Sequence, residues 1–137
     1  MSTADPLVRD LIAEALSATI FGAPADTKSD VLRHFSPQYT QITDGSLSTF
    51  EDFLAHITHL RTVTTGGTVN VKEALRDGSM VADRHCVSVI HPDGTSSSFE
   101  VLLIGELDDQ DRFLRVVETT RQLTGDQAHA NLGTAAS

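Results

Sequence analysis

Tryptophan is missing from the 137 residues, and tyrosine and cysteine occur once each, as Tyr39 and Cys86. A lone cysteine rules out an internal disulfide framework and fits a reducing compartment. With no Trp and one Tyr, the chain is poorly supplied for stacking nucleic-acid bases. Basic residues are also scarce, 10 against 19 acidic ones, for a formal net charge of -9. Phosphate contacts supply most nucleic-acid affinity, and anionic membranes select the same basic charge, so neither partner is expected. Nowhere do about 18 apolar residues run together, and the first residues lack a basic segment followed by an apolar run. A cytoplasmic protein without a membrane span is expected.

What is present fits one domain over residues 1–123, followed by a Gly-, Ala- and Thr-rich tail over 124–137 that is expected to be mobile. A chain of this length buries roughly two thirds of its unfolded surface, enough to fold without metal or disulfide. Asp5, Pro6 and Gly22 frame a first helix whose stripe holds Leu7, Val8, Leu11, Ile12, Ala15, Leu16 and Ile20. A shorter helix from Asp26 or Thr27 buries Val31, Leu32 and Phe35 and must stop before Pro37. A short strand, Tyr39 to Thr43, ends at the turn signal Asp44-Gly45. The spacing Ser48-x-x-Glu51 then reads as a capping box opening a third helix, with Phe50, Phe53, Leu54, Ile57 and Leu60 on its apolar face, and Gly66-Gly67 breaks the pattern.

From Thr68 the period becomes strand-like, over about 68–76, 79–91, 96–107 and 112–121. Asp77-Gly78 and Asp93-Gly94 read as hairpin turns with positive φ at both central positions, and consecutive hairpins imply an antiparallel meander. The order is α-α-β-α-β-β-β-β, an α+β class. Apolar residues occur at both parities of the long strands, with Phe99, Val101, Leu103 and Leu107 on one face and Leu102 and Ile104 on the other. A second apolar face asks for cover, so a homodimer through the open face of the sheet is expected.

This order and several phrases resemble the SnoaL-like (polyketide cyclase-like) branch of the nuclear transport factor 2-like superfamily. The phrases are HFSPQYTQITDG (34–45), FEDFLAHITHLR (50–61), MVADRHCVSVIHPDG (80–94), FEVLLIGEL (99–107) and FLRVVETTRQL (113–123). The resemblance implies three helices packed on a strongly curved, mainly antiparallel sheet, a cone-shaped α+β barrel with a central pocket. Comparison with limonene epoxide hydrolase, of the same superfamily, implies which side chains look inward. Its Arg matches Arg84 and its last-strand Asp matches Glu118, while its other Asp falls on Cys86 and its Tyr and Asn fall on Thr40 and Ile42. Three of five positions lose their chemistry in that frame, which argues against epoxide hydrolysis. The implied lining is Thr40, Ile42, Ala82, Arg84, Cys86, Val101, Leu103, Leu114, Val116 and Glu118, joined by Phe53 from the third helix.

Glu118 and Arg84 are then the candidate catalytic couple, Glu118 as base and Arg84 as the stabiliser of an enolate, with a structural ion pair as the plain alternative. His56, on the flank of the third helix's stripe, is a further acid–base candidate, or a partly buried structural histidine. Asp83 and His85 have the opposite parity to Arg84, and a bulge in their strand would bring them inward instead. His56 and His59 lie about 60° apart around the helix, poorly convergent, so no metal site is expected. Cys86 is more simply an apolar filler than a nucleophile. No phosphate loop, nucleophile elbow or dinucleotide fingerprint occurs, and no cofactor is expected.

The expected partner is a small hydrophobic molecule. Two readings of function stand open. In one, the chain is a cofactor-independent isomerase, cyclase or lyase that abstracts a proton next to a carbonyl of a hydrophobic oxygenated metabolite. In the other, it is a non-catalytic ligand-binding or dimeric assembly module. Partner-protein binding, as in the transport-factor branch, is a third, resting on fold analogy alone.

Overall fold

A computed structural model describes residues 6–125, so the expectations for Asp5 and for a mobile tail beyond residue 125 lie outside the described residues. Helix α1 (Pro6–Ile20) starts at its proline and buries Val8, Ile12, Ala15 and Thr19 at helical spacing. A single 3-10 turn, Pro24–Asp26, leads into α2 (Thr27–His34), which hands directly over to strand β1 (Phe35–Thr43). The expected short strand thus begins four residues early, because Phe35 and Ser36 are already buried in extended conformation rather than in a last helical turn. Helix α3 (Phe50–Val63) is capped one residue later than the sequence spacing implied. Thr49 Oγ1 accepts from the Asp52 backbone N–H at 3.3 Å, and the Thr49 N–H donates to Asp52 Oδ2 at 3.0 Å.

Ser48 is instead the end of β2 (Ser46–Ser48), a short strand the sequence reading did not include. It pairs with β1 across Asp44-Gly45, where φ is 49° and 85°. Positive φ at both central positions therefore occurs here, the I′ pattern, and not at the two later Asp-Gly pairs. Strands β3 (Gly66–Asp77) and β4 (Met80–Ile90) are joined by Gly78-Ser79, with only Gly78 at positive φ. The next connection spans five residues, with only Gly94 positive, before β5 (Ser96–Leu107). Strand β6 (Phe113–Thr124) completes the meander and takes in Thr124. Gly66-Gly67 opens β3 rather than separating elements; a Cβ on Gly67 would lie 2.0 Å from the Ser88 carbonyl oxygen.

The six strands form one sheet in the order β2-β1-β6-β5-β4-β3, open at both edges. All neighbours are antiparallel except β1 and β6, which run parallel and pair Thr43 with Glu118. The curved sheet covers the three helices on one face, and the core of α1, α3 and the inward strand residues lies between. The cone-shaped barrel of the expectation is therefore an incomplete one.

At the head of this core sits Arg61, whose side chain is fully buried. Its guanidinium donates to the carbonyl oxygens of Ala18, Thr19 and Ala23 and to Asp30 Oδ2 at 3.0 Å. The last carbonyls of α1 thus receive a cation where the helix leaves them unpaired. Among the described residues, no helix is long and apolar enough to cross a membrane.

Candidate active site

Between the helices and the sheet lies a cavity of about 120 Å³. Its helical wall is Leu16, Thr19 and Ile20 from α1 and Phe53, His56, Ile57 and Leu60 from α3. One end is an aromatic cluster: Phe35, Tyr39 and Phe53 lie with ring centroids 4.8 Å apart, and Phe35 stacks on Phe113 at 5.3 Å. Edge-to-face and offset contacts of this kind each contribute about 0.5–1.5 kcal/mol beyond the area they bury. Val87, Val89, Phe99, Val101, Leu103 and Val116 make the rest of the sheet wall largely apolar.

Polar groups enter from three strands. His85 on β4 reaches the cavity, and its Nδ1 lies 2.8 Å from Asp83 Oδ2 and 3.0 Å from Oδ1, with both side chains buried. On β6, two strands away, Glu118 lies in register with Asp83 through Leu103, about 10 Å between Cα atoms at ordinary strand spacing, and Thr120 lies in register with His85 through Val101. Inward along β1 stand Tyr39, Gln41 and Thr43. Tyr39 Oη donates to Gln41 Oε1 at 2.8 Å, Gln41 Nε2 to Thr43 Oγ1 at 3.1 Å, and Thr43 Oγ1 to Glu118 Oε1 at 2.9 Å.

Burial pushes the Glu118 carboxyl pKa up from its usual value, opposed by the Thr43 hydrogen bond and the charge of His85, and reinforced by Asp83 and Asp44. Tyr39 is pushed well above the usual phenol value, first by burial and then by Glu118. His56 is brought down to about 4 by burial, with His59 adding to the effect, so its imidazole is neutral near pH 7. Among the described residues, neither Lys nor Arg lines the cavity.

Several expected positions are therefore corrected. Glu118, His56, Phe53, Val101, Leu103 and Val116 do line the cavity, whereas Arg84, Thr40, Ile42, Ala82, Cys86 and Leu114 do not. On β4 the inward parity is Val81, Asp83, His85, Val87 and Val89, the one that buries three valines. No bulge interrupts β4 against β5; the frame taken from the resemblance was one residue off. Arg84, Ala82 and Cys86 consequently lie on the other face, where Arg84 Nε donates to Glu73 Oε1 at 2.6 Å and Nη1 to Glu100 Oε2 at 3.4 Å. Arg84 and Glu118 form no couple. On β1 the same one-residue error put Thr40 and Ile42 in place of Tyr39 and Gln41, so the loss of polar chemistry inferred there does not hold. Leu114 is displaced because the β5–β6 register shifts beside it, and Phe113 and Val116 both point inward.

The missed inward residues carried signals. Val81, Val87 and Val89 share the parity of Asp83 and His85, and the single Tyr39 shares that of Phe35. Arg61 left no such mark.

No family model matches the chain. It is 32% identical over 123 residues to an uncharacterised protein of Schizosaccharomyces pombe, covering 88% of this chain and 94% of that one. Among solved structures, AclR of Streptomyces galilaeus, a candidate hydroxylase, is similar at a TM-score of 0.68 and 15% identity, over 96% of this chain and 88% of that one. Wild-type IdmH of Streptomyces antibioticus, a candidate polyketide cyclase, is similar at 0.63 and 15% identity, over 91% and 95%. The chain belongs to one family with the fission-yeast protein, and its fold is that of the SnoaL-like members of the nuclear transport factor 2-like superfamily.

Proposed function

We infer that the cavity takes a small uncharged carbonyl compound and that the chain moves a proton at the carbon next to the carbonyl, as a cofactor-independent isomerase or cyclase. The observation that carries this reading is the buried His85–Asp83 pair facing a desolvated Glu118 across apolar walls. Asp83 accepts the proton on Nδ1, which leaves the Nε2 lone pair of His85 as base. Glu118, whose protonated form is favoured by burial, donates to the carbonyl oxygen and stabilises the enolate, a carboxylic acid serving as hydrogen-bond donor. Without Lys or Arg among the described residues of the lining, a carboxylate substrate would meet no permanent counter-charge. A chamber of about 120 Å³ is comparable to cavities that hold a benzene-sized molecule, so the enclosed part of the ligand has on the order of six to eight heavy atoms. The likeness to a candidate polyketide cyclase supports the same chemistry.

The test needs no known substrate. In D2O, the wild type should speed α-deuteration of small ketones such as cyclohexanone, followed by proton NMR, and Glu118→Gln should slow it about 100-fold. Failure of the wild type across a panel of such ketones would sink the reading. The same variant carries a stability signature. A raised folded pKa means that the Glu118 contribution is fully present below the ordinary glutamate pKa and is lost as pH rises through the folded value. Glu118→Gln should therefore resist urea better than the wild type at neutral pH, with the difference closing in acid.

The sheet face left open by the described elements supports a homodimer. Leu102, Ile104 and Val117 are 51%, 56% and 40% exposed there, beside an alternation of Arg84 and Arg121 with Glu73 and Glu100. A face carrying an apolar stripe and both charges can complement a second copy of itself about a two-fold axis. Sedimentation should give a dimer for the wild type and a monomer for Leu102→Asp/Ile104→Asp; a monomeric wild type at micromolar concentration would refute it.

A further inference from the structure

We propose that Tyr39, Gln41 and Thr43 form a one-way hydrogen-bond relay that positions Glu118, occupying Oε1 as an acceptor and leaving Oε2 to carry the proton at the cavity. The inference rests on the reading of Glu118 as a proton-carrying group, and it adds three positioning residues and the identity of the working oxygen.

The direction follows from donor and acceptor capacity alone. Whether Glu118 is ionised or carries its proton on Oε2, Oε1 only accepts, so Thr43 spends its single hydroxyl proton on it. Thr43 Oγ1 is then an acceptor towards Gln41, which must turn its NH2 to it and its carbonyl oxygen to Tyr39. Tyr39 must therefore donate, and burial keeps its proton on. Gln41, Thr43 and Tyr39 are 6%, 2% and 2% exposed, so water cannot easily substitute in the chain. Placing a proton on Oε1 would reverse every bond and require a buried amide to turn over. Placing it on Oε2, which has no hydrogen-bond partner among the described residues, disturbs none of them.

The relay also opposes burial. Donors aimed at a carboxylate favour its charged form, and each hydroxyl or amide behind Thr43 polarises the next. Its removal should raise the Glu118 pKa in an order set by distance.

Carbon-detected NMR titration of the Glu118 carboxyl reads this directly, whether or not a substrate is known. Thr43→Val should raise the midpoint by about one unit, Gln41→Leu by less and Tyr39→Phe by least, while Thr43→Ser, which keeps the hydroxyl, should restore the wild-type value. Thermal unfolding of each variant identifies any that fail to fold, and Tyr39→Phe, losing one oxygen, is the variant least exposed to that failure. A midpoint that stays put or falls in Thr43→Val, or that fails to return in Thr43→Ser, overturns the relay. If the NMR midpoints shift in order and ketone exchange is absent, the relay stands and the enzymatic reading falls. If exchange is present and the midpoints do not move, the relay falls alone.

Discussion

Arg61→Leu should cost about 3–5 kcal/mol of folding stability, lowering the urea midpoint by about 2 M. The side chain gives its hydrogen bonds to three backbone carbonyls and to Asp30, and it does so with no exposure to solvent. Leucine fills comparable volume and satisfies none of them. The carbonyls of Ala18 and Thr19 then end α1 without partners, and Asp30 keeps its charge without a counter-ion. Leaving buried acceptors unmade is costlier than the bonds were favourable. Arg61→Lys should recover only part of the loss, because one ammonium cannot span α1, the following loop and α2 together. A midpoint for Arg61→Leu within about 0.3 M of wild type would show that water replaces the guanidinium, against the burial seen here.

Asp83→Asn should lower ketone exchange by about 10³–10⁴-fold while leaving the protein folded. The carboxylate accepts from Nδ1 of His85 with both oxygens within 3.0 Å. An asparagine at that place can turn its NH2 to Nδ1, which moves the ring proton to Nε2 and removes the lone pair facing the cavity. Nitrogen NMR of His85 reports the tautomer independently of turnover. If the proton moved to Nε2 and exchange stayed near wild type, His85 would not be the base.

Much of this architecture was legible, and the illegible parts have physical causes. The four long strands were legible from their β-branched and apolar runs between turn signals, whereas which face of β5 is inside was not, since Leu102 and Ile104 are as apolar as the buried Val101 and Leu103. The two candidate capping boxes, Ser48-x-x-Glu51 and Thr49-x-x-Asp52, satisfy the same pattern, and only the start of the helix at Phe50 separates them. On β4 the two parities are nearly matched in apolar content, with Val81, Val87 and Val89 against Ala82, Cys86 and Ile90. Hydrophobicity alone therefore could not decide whether Arg84 or His85 looks inward. On β1 the inward side is Tyr39, Gln41 and Thr43 while Ile42 is 39% exposed, so the polar residues of the site invert the pattern used to find a core. Sites that hold polar groups inside are where patterning fails. Arg61 was invisible for a different reason: its partners are backbone carbonyls from α1 and the loop after it, which no side-chain pattern encodes.

The parallel pairing of β1 with β6 has a kinetic meaning as well as a geometric one. From β3 onward each strand docks on its predecessor across a short turn, so the meander grows by local closures. Thr43 and Glu118, by contrast, meet across 75 residues of chain. Such distant contacts cost the most loop entropy and come together late. The donors Tyr39, Gln41 and Thr43 ride on the first strand of the sheet and their acceptor on the last. A partly made chain can thus hold its helices and hairpins, yet it has no enclosed chamber and no Glu118 at its wall until β6 is threaded between β1 and β5. The wall that holds Glu118 is completed only by the last strand of the sheet.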